Sequence, residues 1–155
     1  MSRTTLEAAI PAAATIVLDS STVLAYLDGG EAVSPIATIL IDEFVATGRN
    51  AAVVSTVTVT ETLVRPMRAA SSAVELVEAF LRHFVNLRVE PVTFEIAREA
   101  ARIRAATALR TPDAMILATA VVSGAPSVVT NDGRWSTAID GANLALALCR
   151  LDDHR

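Results

Sequence analysis

Lysine is absent from the chain, and all thirteen basic residues are arginine. That excludes a P-loop lysine, a Schiff-base lysine and the lysine-dependent phosphoacceptor site of receiver-like domains. Cysteine occurs once, at Cys149, so neither an internal disulfide nor a cysteine zinc site can form, and a reducing cytosol fits. Six aromatic residues are too few for a platform that stacks single-stranded nucleic acid. The two histidines, His83 and His154, give a histidine acid–base nuclease no reliable second partner: His83 falls on the outer side of its helix and His154 near the end of the chain. Charge is scarce as well: 19% of residues are charged against 52% hydrophobic, which excludes intrinsic disorder. With a net charge of -4, a general nucleic-acid-binding surface is not expected, and any such role must rest on a local site.

No hydrophobic run is convincing as a membrane span. Residues 114–131 carry no charge, but Ser123-Gly124-Ala125-Pro126 interrupts them, so they read as a buried helix, a turn and a strand. The N-terminal stretch has one Arg, then Glu7 and Pro11 within its short apolar part, a poor signal peptide. A cytoplasmic protein is expected. The 155 residues suit one domain. Area scaling gives a folded surface of roughly 7,500 Å² against about 23,600 Å² for the extended chain, enough burial for a core without staples.

Residues 1–14 read as a loose extension, 15–150 as the folded domain and 151–155 as a tail. Thr15 to Leu18 is a short apolar strand closed by Asp19-Ser20-Ser21, which feeds a helix that Asp28-Gly29-Gly30 stops. Residues 36–47 repeat apolar positions at helical spacing, and 51–54 form the next strand. Thr56 to Thr60 alternates like a strand, yet it reads as the start of a helix leading to Glu61 and Leu63. Residues 72–86 are the clearest helix, with Val74, Val77, Leu81 and Phe84 on one face. A strand over 89–92 and a helix over 94–107 follow. Thr111-Pro112-Asp113 opens another helix, with Thr as N-cap and Pro at N1. Ser127 to Val129 and Leu144 to Leu148 are the last strands. Alternation of helices with strands apolar on both faces predicts a three-layer α/β/α sandwich around a parallel sheet.

In a parallel sheet the C-terminal strand ends share one edge, where ligand sites form. Asp19 follows the first strand and Asp132 the fourth, Glu61 lies in the helix after the second, and Asp113 opens the helix leading into the fourth. Each has an ordinary account alone: Asp19 caps a helix, Asp113 meets a helix dipole, Asn131-Asp132-Gly133 makes a turn, and Glu61 is solvated. Together they repel unless a cation lies between them, and oxygen-only ligation suits Mg²⁺ or Mn²⁺.

Leu18-Asp19-Ser20-Ser21, Thr60-Glu61-Thr62-Leu63, the run Thr111-Pro112-Asp113-Ala114-Met115-Ile116-Leu117-Ala118-Thr119-Ala120, and Val129-Thr130-Asn131-Asp132 follow the order and spacing of a PIN domain. Over residues 15–150 the chain resembles the VapC-type toxins of bacterial toxin–antitoxin pairs. Arg134-Trp135, where the family often has Phe, and the N-terminal extension depart from the pattern. The resemblance implies a metal-dependent endoribonuclease with Asp19, Glu61, Asp113 and Asp132 as its acidic quartet. Ser20, Thr130 and Asn131 would orient water or carboxylates, and Arg65, Arg110 and Arg134 would contact RNA phosphate. It further implies a VapB-like antitoxin seated in an apolar groove and a homodimer, in keeping with a mean hydropathy of +0.47. A catalytically silent PIN fold that binds a partner is the alternative, against which retention of all four acids argues. A metal-dependent DNA nuclease is a further one that the residues do not separate.

Overall fold

The computed structural model describes residues 2–155. Five strands form one all-parallel sheet: β1 (Ile16–Leu18), β2 (Ala52–Ser55), β3 (Leu87–Glu90), β4 (Ser127–Thr130) and β5 (Ala147–Arg150). Their order across the sheet is β3-β2-β1-β4-β5. The chain therefore winds one way from β1 to β3 and the other way through β4 and β5, and its reversal opens a crevice between the ends of β1 and β4. The helices are α1 (Ser2–Ala9), α2 (Ser20–Asp28), α3 (Ser34–Thr38), α4 (Thr56–Arg68), α5 (Ala73–His83), α6 (Phe94–Ala106), α7 (Thr111–Ser123) and α8 (Arg134–Gly141).

Side-chain alternation along the strands divides the interior into two cores. Ile16, Leu18, Ala52, Val54 and Val129 face one layer, with Val23, Phe44, Phe80 and Leu81 from the helices. Val17, Val53 and Val128 face the other, against Ile96, Ile103, Ile116, Leu117 and Trp135. Helices on both faces cover a parallel sheet, the expected three-layer α/β/α architecture. The accessible surface is 7620 Å², close to the value expected from mass alone.

Local chemistry explains most boundaries. The Thr-rich start of α4 is helical because Ser55 caps it, its hydroxyl accepting from the Val57 N–H at 3.1 Å. Thr93 caps α6 in the same way, accepting from Ile96 N–H at 3.2 Å. Gly124 ends α7 at φ +71°, a left-handed conformation that glycine adopts without steric cost, so the uncharged run does break where expected.

Other boundaries differ from the sequence reading. Residues 2–9 are helical, not loose, and Leu6 and Ile10 are fully buried in the first core. Asn50, itself buried, fastens this segment by donating to the carbonyls of Pro11 (2.9 Å) and Ala14 (2.8 Å). Arg49 donates to the carbonyl of Ile10 at 3.0 Å. Leu151–His154 forms a 3₁₀ turn with Leu151 buried, so the chain end is not a free tail. His154 Nε2 stands 3.5 Å from Cys149 Sγ, and burial pushes that thiol up to about 12. The 36–47 segment is α3 followed by a π-helical stretch, Ile39–Val45. Strands β3 and β5 are displaced from the expected 89–92 and 144–148. Among the described residues, no helix is long and apolar enough to cross a membrane.

Candidate active site

Asp19 is the residue immediately after β1, extended at φ -74° and ψ 159°, which turns its carboxylate into the crevice at the start of α2. It is only 6% exposed. Its Oδ2 accepts from Thr130 Oγ1 at 2.7 Å and from Ser21 Oγ at 2.8 Å. Burial pushes this carboxyl above the ordinary aspartate value; the two hydroxyl donors oppose the shift and the nearby Asp113 charge adds to it.

Thr130, fully buried at the end of β4, also accepts from the Asp132 N–H at 3.0 Å, so one hydroxyl ties the first acid to the last acid's backbone. Ser21 Oγ accepts from Asn131 N–H at 2.9 Å, a second tie across the crevice. Ser21 was not among the residues singled out from sequence. Its position two residues after Asp19, beside the more obvious Ser20, was the available signal.

Asp113 lies in the first turn of α7. The helix is capped one residue earlier than expected, at Arg110 rather than Thr111, which places Pro112 second and Asp113 third. Asp113 is 7% exposed, with Arg110 Nε 3.4 Å from its Oδ2. Glu61, at the surface of α4, is pushed up by burial and then by the charges of Asp19 and Asp113, and Arg110 partly offsets them. The buried Ser20 Oγ makes no hydrogen bond of normal geometry, yet it lies near enough to Glu61 to favour the ionised carboxylate.

Asp132 is held differently. Arg134 Nε donates to both of its oxygens at 3.0 Å, Arg134 Nη2 bonds Oδ2, and the Arg134 backbone N–H donates to Oδ1 at 2.9 Å. This guanidinium holds the carboxyl below the ordinary aspartate value. The same Nη2 reaches Asp113 Oδ2 at 4.0 Å. Trp135, fully buried in the second core, anchors the start of α8 and fixes Arg134 beside Asp132.

Asp19, Glu61 and Asp113 thus feel one another's charge, and Asp132 joins them through Arg134 and Thr130. Among the described residues, no three acids, histidines or cysteines already stand close enough to enclose one metal ion. The donor set is all oxygen, two of its members are destabilised as anions by burial and neighbouring charge, and a buried hydroxyl lacks a partner. A hard divalent cation fits that chemistry. Asn131 is turned away from the acids: its Oδ1 accepts from Asp152 N–H at 3.1 Å, securing the C-terminal 3₁₀ turn. Arg65 pairs with Asp28 at 3.4 Å rather than with an acid of the quartet, and among the described residues only Arg110 and Arg134 form ion pairs with the quartet's carboxylates.

Several solved structures of bacterial proteins share this fold. The VapC20 toxin of Mycobacterium tuberculosis, described as cleaving the sarcin-ricin loop, superposes with a TM-score of 0.65 at 22% identity over 79% of this chain and 94% of its own. FitAcB of Neisseria gonorrhoeae gives 0.66 at 18% identity over 88% and 97%. VapBC-5 of M. tuberculosis, a member of the VapBC toxin–antitoxin family, gives 0.57 at 26% identity over 88% and 98%. No curated protein matches the chain in sequence. The PIN domain family model matches residues 16–139, a span that opens with β1, closes in α8 and contains all four acids; the chain belongs to the PIN domain family.

Proposed function

We propose that the chain is a metal-dependent endoribonuclease and the toxin half of a toxin–antitoxin pair. The reading is supported by the proximity of Asp19, Glu61 and Asp113 near the sheet's reversal point, where burial and the charge of neighbouring acids raise Asp19 and Glu61. With Asp132 they would hold Mg²⁺ or Mn²⁺, which lowers the pKa of water and neutralises charge on a phosphodiester. The chain's own residues prepare the site. Thr130 and Ser21 fix the rotamer of Asp19 through Oδ2 and leave Oδ1 free of them. Arg110 and Arg134, with side chains 69% and 61% exposed, rim the carboxylates where a phosphate backbone would approach.

An antitoxin suits a groove of about 200 Å³ between α2, α4 and α5, lined by Leu24, Leu27, Pro66, Leu76 and Val77. Leu76 is 72% exposed, an apolar side chain that a peptide would cover. A second copy would cover Phe94, 80% exposed at the start of α6.

Cleavage of total cellular RNA with Mg²⁺, with Mn²⁺ and with EDTA tests the activity, alongside Asp132→Asn and a single-stranded DNA substrate. Cutting of RNA that stops in EDTA and falls at least about a hundredfold in the variant is expected, in the range known for loss of one electrostatic group at a reacting centre. Undiminished cutting in EDTA refutes the metal mechanism, and cutting of DNA alone selects the DNA-nuclease alternative.

A further inference from the structure

Arg134 is an unusual neighbour for a cation site. One nitrogen of its guanidinium stands between two carboxylates from different elements, bonded to Asp132 Oδ2 and 4.0 Å from Asp113 Oδ2. A second nitrogen, Nε, reaches both oxygens of Asp132 at 3.0 Å. The main chain beneath this side chain is held in place, although the side chain itself is 61% exposed. Its backbone N–H is bonded to Asp132 Oδ1, and the next residue, Trp135, is locked in the core. The guanidinium therefore occupies the point from which a metal ion shared by Asp113 and Asp132 would have to draw its ligands.

We propose that Arg134 is an internal latch that competes with the divalent cation for Asp132 and Asp113. This rests on the reading that the acids hold a metal. In the metal-free protein Arg134 neutralises part of the carboxylate charge and keeps Asp132 directed at itself. Metal binding displaces it from both acids, and the released guanidinium stays at the rim because its main chain does not move with it. Two consequences separate this device from an ordinary surface ion pair. Removing the guanidinium tightens metal binding, whereas loss of a merely structural contact would loosen the site and weaken it. Removing it also destabilises only the metal-free protein, because the loaded protein no longer uses the contact.

The test is a titration with Mn²⁺, followed by the loss of the paramagnetic resonance signal of the free ion, with thermal melts in EDTA and in saturating Mn²⁺. Even in water-like screening, a unit charge about 5 Å from a divalent ion changes binding by about tenfold. Arg134→Gln is expected to bind Mn²⁺ about tenfold more tightly than wild type, to melt lower in EDTA, and to melt with wild type in saturating Mn²⁺. Equal or weaker binding overturns the latch. Should that variant fail to fold, Arg134→Met carries the test, because it keeps the aliphatic stem and removes both the charge and the fork onto Asp132. Binding tighter than wild type supports the latch, and equal or weaker binding overturns it. Asp113→Asn separates the two readings. Binding lost there but unchanged in the Arg134 variants removes the latch alone, while no binding by wild type or either Arg134 variant removes the metal reading with it.

Discussion

Replacing Thr130 with valine would swap one buried hydroxyl for a methyl of nearly the same size, and the structure assigns that hydroxyl two tasks. It donates to Asp19 Oδ2 at 2.7 Å and accepts from Asp132 N–H at 3.0 Å. Losing a hydrogen bond to a charged group costs about 1.5–3 kcal/mol, and a stranded N–H about 1–3 kcal/mol, the lower end applying because water reaches Asp132. Burying a methyl in place of the hydroxyl returns about 0.8 kcal/mol. The net loss is about 2.5 kcal/mol, or a fall in Tm of roughly 5–10 °C for a chain of this length. The loss should depend on pH. Burial raises Asp19 above the ordinary aspartate value, so as pH falls it takes up a proton sooner than an ordinary aspartate, and an uncharged acid gains only about 1 kcal/mol from the same donor. Urea denaturation followed by circular dichroism at pH 7.5 and 3.8, in EDTA, should give a cost about 0.5–2 kcal/mol larger at the higher pH. Thr130→Ser, which keeps the hydroxyl, should recover most of it. A cost that is equal at both pH values, or below about 0.5 kcal/mol, would refute the assignment of the hydroxyl to an ionised Asp19.

Asp19→Asn should stabilise the metal-free protein at pH 7.5. An acid whose folded pKa lies above its unfolded value favours folding at low pH, and that advantage disappears as pH rises through the folded pKa, so the ionised Asp19 is a liability at neutrality. The gap between variant and wild type in urea midpoint should close as pH falls towards 3.8; a variant weaker than wild type at pH 7.5 contradicts the cause given for the shift. Leu6→Ala should cost about 2–4 kcal/mol, since Leu6 is 0% exposed. A cost under about 0.5 kcal/mol would mean that α1 contributes nothing to the core.

The sequence made the central architecture readable because the inner strands are apolar on both sides. Ile16 to Leu18, Ala52 to Val54 and Ser127 to Val129 leave little else for a buried parallel sheet to be made of. The edge strands were displaced because their chemistry is mixed. In β3, Arg88 is exposed and Glu90 half-buried, so Val89 and Val92 drew the boundary two residues too late. In β5, Leu144 and Leu146 pack on the second core before the strand begins, and apolar character alone does not tell them from strand residues. The N-terminal helix was missed because it buries only Leu6, and the Ala-rich stretch around it has the composition of a linker. Of the candidate site, the four acids were named from their places relative to the strands and from the resemblance to a PIN domain. What sequence position does not carry is the third dimension: that Asn131 Oδ1 bonds the C-terminal turn, that the hydroxyl bonding Asp19 belongs to Ser21 rather than Ser20, and that Arg134 folds back onto Asp132.

The strand order sets a timetable on the ribosome. β1 sits at the centre of the sheet, but its neighbour on one side, β4, is made only after β2, β3 and their helices. The Thr130 hydroxyl that fixes Asp19 lies 111 residues further along, which at about 5–20 residues per second is about 5–20 seconds of synthesis. Throughout that interval a nascent chain exposes one edge of β1 and holds Asp19 without Thr130, Asp132 or Arg134. It cannot assemble the crevice, whatever the earlier strands have already done. A chain interrupted anywhere before residue 127 lacks β4, Thr130 and Asp132, so the complete set of four carboxylates can assemble only after β4 has been made.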